Sequence, residues 1–348
     1  MKINVLEEFY NKSFGTLKNR VTMSPMTRGF ADKNHCATQE ISEYYIRRAA
    51  NGVAVIITEG IVIHSSADGY LNVPHIETIE QANSWKATID GVHRNNSKIV
   101  AQLWHCGRIS HSDFTGGIAP VSSTNVAAEG INRQNNKPYG QPRALKTEEI
   151  SQIIDLYIEA TKKALDVGFD AVEIHMGHGY LIDQFFDSRI NDRKDKYGGS
   201  VENRCRFALE LIHALVEKFA SEKIIIRISP SRFMNAIYEW PDLDEMLVYF
   251  INELNKTDLS MIDVSCANAN YFDTSGKIIR KMRDIGWNRS IIGGASLTLS
   301  EANQEASESY LDLVTWGRNI LANPDFVEKL NNNIDPIAMT NEIRDVLY

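Results

Sequence analysis

Eight short apolar runs rich in β-branched residues constrain the fold of this chain most, at residues 20–25, 53–59, 98–104, 170–175, 223–229, 260–265, 290–294 and 311–316. Most are near-continuous Val, Ile and Leu rather than alternating, which is how strands buried on both faces of a parallel sheet read. Helical patterns lie between them, at 40–50, 81–94, 150–165, 201–219, 243–254, 300–306 and 325–332. Thr147-Glu-Glu-Ile150 has the spacing of a capping box ahead of the third of these, and Gly168 stands where that helix should stop. The alternation, with no Pro/Gly/Ser-rich linker and no internal repeat, predicts one α/β domain over 1–348, a single (β/α)8 TIM barrel. A doubly wound sheet is the second choice. Residues 107–146 show no strong period, only Ser, Gly, Asn and Pro. A long loop excursion after strand three is therefore expected, either functional or disordered.

Composition narrows the function classes. A net charge of −8 without any Lys/Arg-rich run argues against a nucleic-acid surface. The four cysteines lie far apart with no paired spacing, so neither zinc nor an iron–sulfur cluster is expected, and free thiols in a reducing compartment are. No signal-peptide core and no span of bilayer length can be read, so the expectation is a cytoplasmic protein without a membrane partner.

In a barrel enzyme the active site lies at the carboxyl ends of the strands. The fourth run ends in Glu173-Ile-His-Met-Gly-His-Gly-Tyr180, where His175, His178 and Tyr180 fall within six positions. Turn formers usually close a buried strand, so two imidazoles and a phenol together point to a site. Strand seven ends in Gly293-Gly294 and strand eight in Gly317-Arg318, where barrels commonly bind phosphate. Thr27, Gly60, Gln102 and Arg227 offer a hydroxyl, an unobstructed backbone, an amide and a cation. Together they suit a flat heterocycle with several acceptors, and a flavin carrying a phosphate satisfies the whole set. Taken singly, Gln102 reads equally as an amide bonded inside the barrel and Arg227 as a buried ion pair.

These residues carry a resemblance. Lys18-Asn-Arg-Val-Thr-Met-Ser-Pro-Met-Thr-Arg28, Ser42-Glu-Tyr-Tyr45, Gln102-Leu-Trp-His-Cys-Gly-Arg-Ile-Ser110, Val172–Gln184, Tyr197-Gly-Gly-Ser-Val-Glu-Asn-Arg204 and Gly317–Pro324 appear in order. In them the chain resembles the old yellow enzyme family of FMN-dependent ene-reductases, nearest to the branch of N-ethylmaleimide and pentaerythritol tetranitrate reductases. The resemblance implies FMN as cofactor, NADPH or NADH as reductant, and a small electrophilic alkene or nitro compound as substrate. It places the flavin ring on Ser24, Pro25, Met26, Thr27, Gly60, Gln102 and Arg227, and the phosphate on Gly293, Gly294, Gly317 and Arg318. It makes His175 and His178 the pair on a substrate oxygen, Tyr180 the proton donor, and Tyr70 and Trp104 neighbours of the substrate. Three departures stand out, the first being Met176-Gly177 between the histidines, where small residues are more usual. Ser265-Cys-Ala-Asn-Ala-Asn-Tyr-Phe272 lacks the acidic Ser-Glu-Pro-type pattern of that branch, and a tail after Leu330 promises none of the C-terminal aromatic contacts of some relatives. The rival readings are a flavin-binding or redox-sensing barrel without turnover, and a reductase chiefly of nitro compounds or nitrate esters.

Overall fold

A computed structural model of the chain describes residues 2–234, 236–267 and 269–348. All eight apolar runs are strands: Val21–Met23, Val55–Val62, Lys98–Trp104, Ala171–His175, Ile224–Ile228, Met261–Val264, Ser290–Gly294 and Leu313–Trp316. Each pairs in parallel with the next, and the eighth pairs with the first, so the sheet closes into a barrel. Closure leaves no sheet edge and sets aside the doubly wound alternative.

The strands bury both faces, against different things. The outer face packs under the helices in one large core, which takes in Ile56, Ile99, Val172, Ile174, Ile226, Ile262 and Val314. The inner face alternates with these. Val55, Ile57, Val100, Ala171, Ile225, Met261, Ile292 and Leu313 meet inside the barrel as a second, separate core. Phe14 and Leu17, on the antiparallel hairpin Phe9–Asn11 with Gly15–Leu17, pack into that core and close the amino-terminal end. Two residues further along four consecutive strands the same face turns polar, at Gln102, Glu173, Arg227 and Asp263.

Three local expectations are corrected. The helix read over 81–94 is two, Ile79–Asn83 and Lys86–Arg94, because the chain turns at Ser84 to sink Trp85 into the core. Thr147 does not cap the long helix Glu149–Val167: its hydroxyl donates to Asp195, and Glu149 accepts the Lys146 N–H instead. Gly168 does end that helix, at φ +115°. A further helix, Ser275–Ile285, went unread although Ile278, Ile279, Met282 and Ile285 carry its apolar stripe. Charges at Lys277, Arg280, Lys281, Arg283 and Asp284 dilute the pattern.

The 107–146 excursion is ordered. Ile131–Asn132 and Lys137–Pro138 form a small hairpin, and Val121–Ser122 pairs with Arg143–Ala144. Its hydroxyls reach the strand-four end, Ser122 to Gln184 Oε1 and Ser123 to the Gln184 carbonyl, both at 2.8 Å. The tail after Leu330 returns to the mouth: Arg28 donates to the carbonyls of Arg344 and Val346, each at 2.7 Å. The terminal Tyr348 ring lies under the Arg47 guanidinium. No helix among the described residues is long and apolar enough to cross a membrane.

Candidate active site

Strand register assembles the floor of the site. Glu173 is paired with Gln102 and Arg227 with Asp263, and Arg227 Nη1 lies 3.8 Å from Glu173, so these four polar side chains form one connected set inside the barrel. The Gln102 amide donates to Glu173 (2.7 Å), and Arg227 Nη1 to Asp263 (2.6 Å). Both side chains thus fill the roles inside the barrel that the sequence allowed, while Arg227 and Gln102 still border a cavity. Burial raises the Glu173 carboxyl well above the usual range, and the neighbouring Asp263 adds to the rise. Burial raises Asp263 too, opposed by Arg227. One guanidinium between two carboxyls in a low-dielectric interior favours keeping one of them protonated.

The wall rises from strand four. His178 has φ +56°, a left-handed backbone that a non-glycine residue seldom adopts. Its turn is pinned from below: the Ser229 hydroxyl accepts the His178 N–H (2.8 Å), and Asp183 accepts the Gly179 N–H (2.7 Å). Asp183 in turn pairs with Arg232 and accepts from Trp240. Gly177 is needed for this packing, since a Cβ there would lie 2.5 Å from Ser229 Oγ. The result brings His175 and His178 edge to face at 5.1 Å, with Tyr180 5.1 Å from His175 and 4.8 Å from Trp104.

Burial holds both imidazoles well below their usual pKa; Arg227 and Arg232 add to this at both rings, and His175 itself adds to it at His178. They are neutral at neutral pH, each with one N–H. Gly177 N–H donates to His175 Nδ1 (3.4 Å), which leaves the His175 proton on Nε2. His178 Nε2 lies 3.1 Å from Ser265 Oγ, which accepts from Arg227 (2.8 Å). Burial, then the neighbouring Tyr70, raises the Tyr180 phenol well above its usual pKa, so it carries its proton.

Two adjoining cavities open here. The smaller, about 90 Å³, is bordered by Pro25, Thr27, Gln102, Trp104, His175, His178, Tyr180 and Arg227. The larger, about 330 Å³, runs past Ser24, Met26 and Ser265 to Gly294, Gly317 and Arg318. They share Pro25, His178 and Arg227. Three of the residues named from sequence border neither, Gly60, Gly293 and Tyr70. Gly60 lies under the Trp104 indole, which a Cβ would meet at 2.4 Å, and Gly293 faces Leu311 and Ile279 in the outer core. Tyr70 borders an outer cleft instead. Sequence reasoning passed over Glu173, Asp263, Ser229, Ser265, Ala295, Ser296 and Asn319. Of these, Glu173 and Asp263 had a signal, an acid on the inward phase of an apolar strand; the others are small or polar residues at strand ends, without a pattern.

The residues fit a flat polar heterocycle with a phosphate. Arg227 Nε is buried without a partner, and the Arg318 guanidinium makes no hydrogen bond or ion pair among the described residues. Both arginines border the larger cavity. Comparison with known proteins decides the matter. Residues 11–336 match the NADH:flavin oxidoreductase / NADH oxidase family.

The chain belongs to that family.

It is similar to 12-oxophytodienoate reductase 1 of Oryza sativa subsp. japonica, at 37% identity over 323 residues, 89% of this chain and 81% of the relative. Among solved structures it is similar to morphinone reductase (TM-score 0.88, 28% identity, 99% of this chain and 93% of that one). It is likewise similar to the old yellow enzyme homologue from Zymomonas mobilis (TM-score 0.90, 28% identity, 98% and 96%). The protein is an old yellow enzyme homologue, an FMN-dependent oxidoreductase with a nicotinamide reductant.

Proposed function

We propose that this oxidoreductase reduces the activated C=C bond of small electrophilic alkenes, among them α,β-unsaturated carbonyl compounds, maleimides and nitroalkenes. The observation that carries the reading is the convergence of His175, His178 and Tyr180 with Thr27, Gln102 and Arg227 on one cavity of about 90 Å³. Two relatives, 12-oxophytodienoate reductase and morphinone reductase, are named for carbonyl compounds.

In this reading Ser24, Pro25, Met26, Thr27, Gln102 and Arg227 hold the ring of FMN, with the Gly60 backbone beneath Trp104. Gly294, Gly317 and Arg318, with Gly293 shaping the strand end behind them, hold the phosphate. FMN held there would supply hydride chemistry toward the substrate's β-carbon, with NADPH or NADH as the reductant. His175 and His178 donate to the carbonyl or nitro oxygen, where negative charge develops; as neutral imidazoles they do so without a buried positive charge of their own. Tyr180 gives its proton to the α-carbon, which becomes basic only after hydride arrives, so a weak acid suffices. Trp104 and Tyr70 close the side of the pocket.

The test is anaerobic: reduce the bound flavin with NADPH or NADH, then add cyclohex-2-enone, N-ethylmaleimide, a nitroaromatic and a nitrate ester in separate runs. Reoxidation by the enone and the maleimide, with a saturated product, is expected. A flavin that is reduced but reoxidised by none of them marks a binding or sensing protein. Reoxidation by nitro compounds or nitrate esters alone moves the activity there.

A further inference from the structure

Tyr70 stands on the loop after strand two, and its hydroxyl lies 2.8 Å from that of Tyr180. The loop is tied at several points. Asp68 Oδ1 accepts from the N–H groups of Gly69 (2.6 Å) and Tyr70 (3.0 Å), and Oδ2 accepts from His75 Nε2 (2.8 Å). The Ser110 hydroxyl donates to the Asp68 carbonyl (2.5 Å). His75 stacks on His35 with centroids 3.7 Å apart and planes 18° from parallel. One ion could not lie near both ring planes, so His35, Asp68 and His75 act here as a brace and not as a metal cage. The Tyr70 ring itself leans on Trp104 at 4.7 Å.

The two phenols also connect two spaces. Tyr180 borders the inner cavity, while Tyr70 borders an outer cleft of about 440 Å³ shared with Arg28, Gln134 and Arg344. Either hydroxyl could donate in the bond between them. If Tyr180 donated, its proton would point away from substrate. If Tyr70 donates, the Tyr180 proton stays free for the cavity, and the bond strengthens as charge forms on the Tyr180 oxygen.

We infer that Tyr70 is a positioning residue for the proton transfer proposed above: it donates to Tyr180, frees the Tyr180 proton for substrate, and returns a proton to Tyr180 from the outer cleft. The inference rests on the proposed reaction. In balance, the Tyr180 O–H breaks as the substrate C–H forms. The Tyr180 oxygen then takes the Tyr70 proton, and the Tyr70 oxygen takes one from water in the cleft, leaving hydroxide to the bulk buffer. Burial that disfavours phenolate at both sites makes this return downhill.

The experiment uses the FMN-loaded enzyme, reduced anaerobically and mixed with cyclohex-2-enone in a stopped-flow spectrometer, comparing Tyr70→Phe, Tyr180→Phe and the double variant. Loss of a hydrogen bond to a developing anion predicts reoxidation about 10- to 100-fold slower in Tyr70→Phe at saturating enone, with little change in the enone concentration giving half the rate. In the Tyr180→Phe background the second substitution should add less than about twofold, since Tyr70 then has nothing to act through. An unslowed Tyr70→Phe overturns the inference. So do effects that multiply in the double variant, which would put Tyr70 on the substrate directly, or a Tyr180→Phe variant that reoxidises at the wild-type rate. Failure of wild-type enzyme to be reoxidised by the enone would instead overturn the proposed reaction.

Discussion

The two ends of the barrel interior are built by the same strands on the same alternation, yet they do opposite things. At the amino-terminal end Val100, Ala171, Ile225 and Met261 meet under Phe14 and Leu17 in a dry core. One inward position later, Gln102, Glu173, Arg227 and Asp263 form a ring of hydrogen bonds and charge, and one position beyond that stand Trp104, His175, Ser229 and Ser265. The lower level stabilises by area removed from water and tolerates changes of shape. The upper level is stable only as a set, because each buried polar group depends on its partner. A site for a polar cofactor can therefore sit on the upper level without costing the fold its seal.

Breaking the upper set should have the largest effect. Arg227→Met leaves Asp263 and Glu173 without their cation, at a cost of about 3–5 kcal/mol at neutral pH. Urea unfolding should show that loss shrinking towards pH 5, since carboxyls whose folded pKa is raised bind protons more tightly than in the unfolded chain. Bound FMN should fall in the same variant. A fully stable Arg227→Met protein would mean that the upper level is not interdependent.

Glu59, at the end of strand two, gives a graded version of the same test. Its Oε2 accepts from Arg28 N–H (2.9 Å) and Gly29 N–H (3.0 Å), and burial raises its pKa from 4.5 to about 7. With the folded value above the unfolded one, the contribution is fully present below about pH 4.5 and is lost as pH rises through about 7. At 1.36 kcal/mol per pH unit the swing is at most about 3 kcal/mol. Glu59→Gln keeps an acceptor but cannot ionise. Its stability from pH 5 to pH 8 should decline less than the wild type's, and identical slopes would exclude Glu59 as the source.

The smallest effect belongs to the lower level. Ile225→Val removes one methylene from the dry core, at about 0.5–1.5 kcal/mol in unfolding free energy, with FMN content unchanged. A loss of flavin in that variant would show that the two levels are coupled after all.

Much of this arrangement was legible beforehand, for a physical reason: parallel strands covered on both faces must be apolar almost throughout, so the eight runs and the barrel could be read directly. The wall of rings at 175–180 was legible because such groups are costly to collect at a strand end. The floor was not. Glu173 was read as part of an apolar run, and its partnership with Gln102 depends on register between strands 71 positions apart. Ser229 and Ser265 look like any polar residue at a turn, and only the fold shows that they hold His178. The Thr147 cap failed because a partner distant in sequence, Asp195, competed for the hydroxyl.

The central claim is that the neutral pair His175 and His178 faces a substrate oxygen above the flavin. Equilibrium binding of a phenolic ligand to FMN-loaded His175→Ala/His178→Ala, followed by flavin absorbance, tests it directly. The account predicts weakened ligand binding with FMN retained in the variant, and no inflection near pH 6.5 in the wild type, because both rings are already neutral there. Unchanged ligand affinity in the double variant would contradict it.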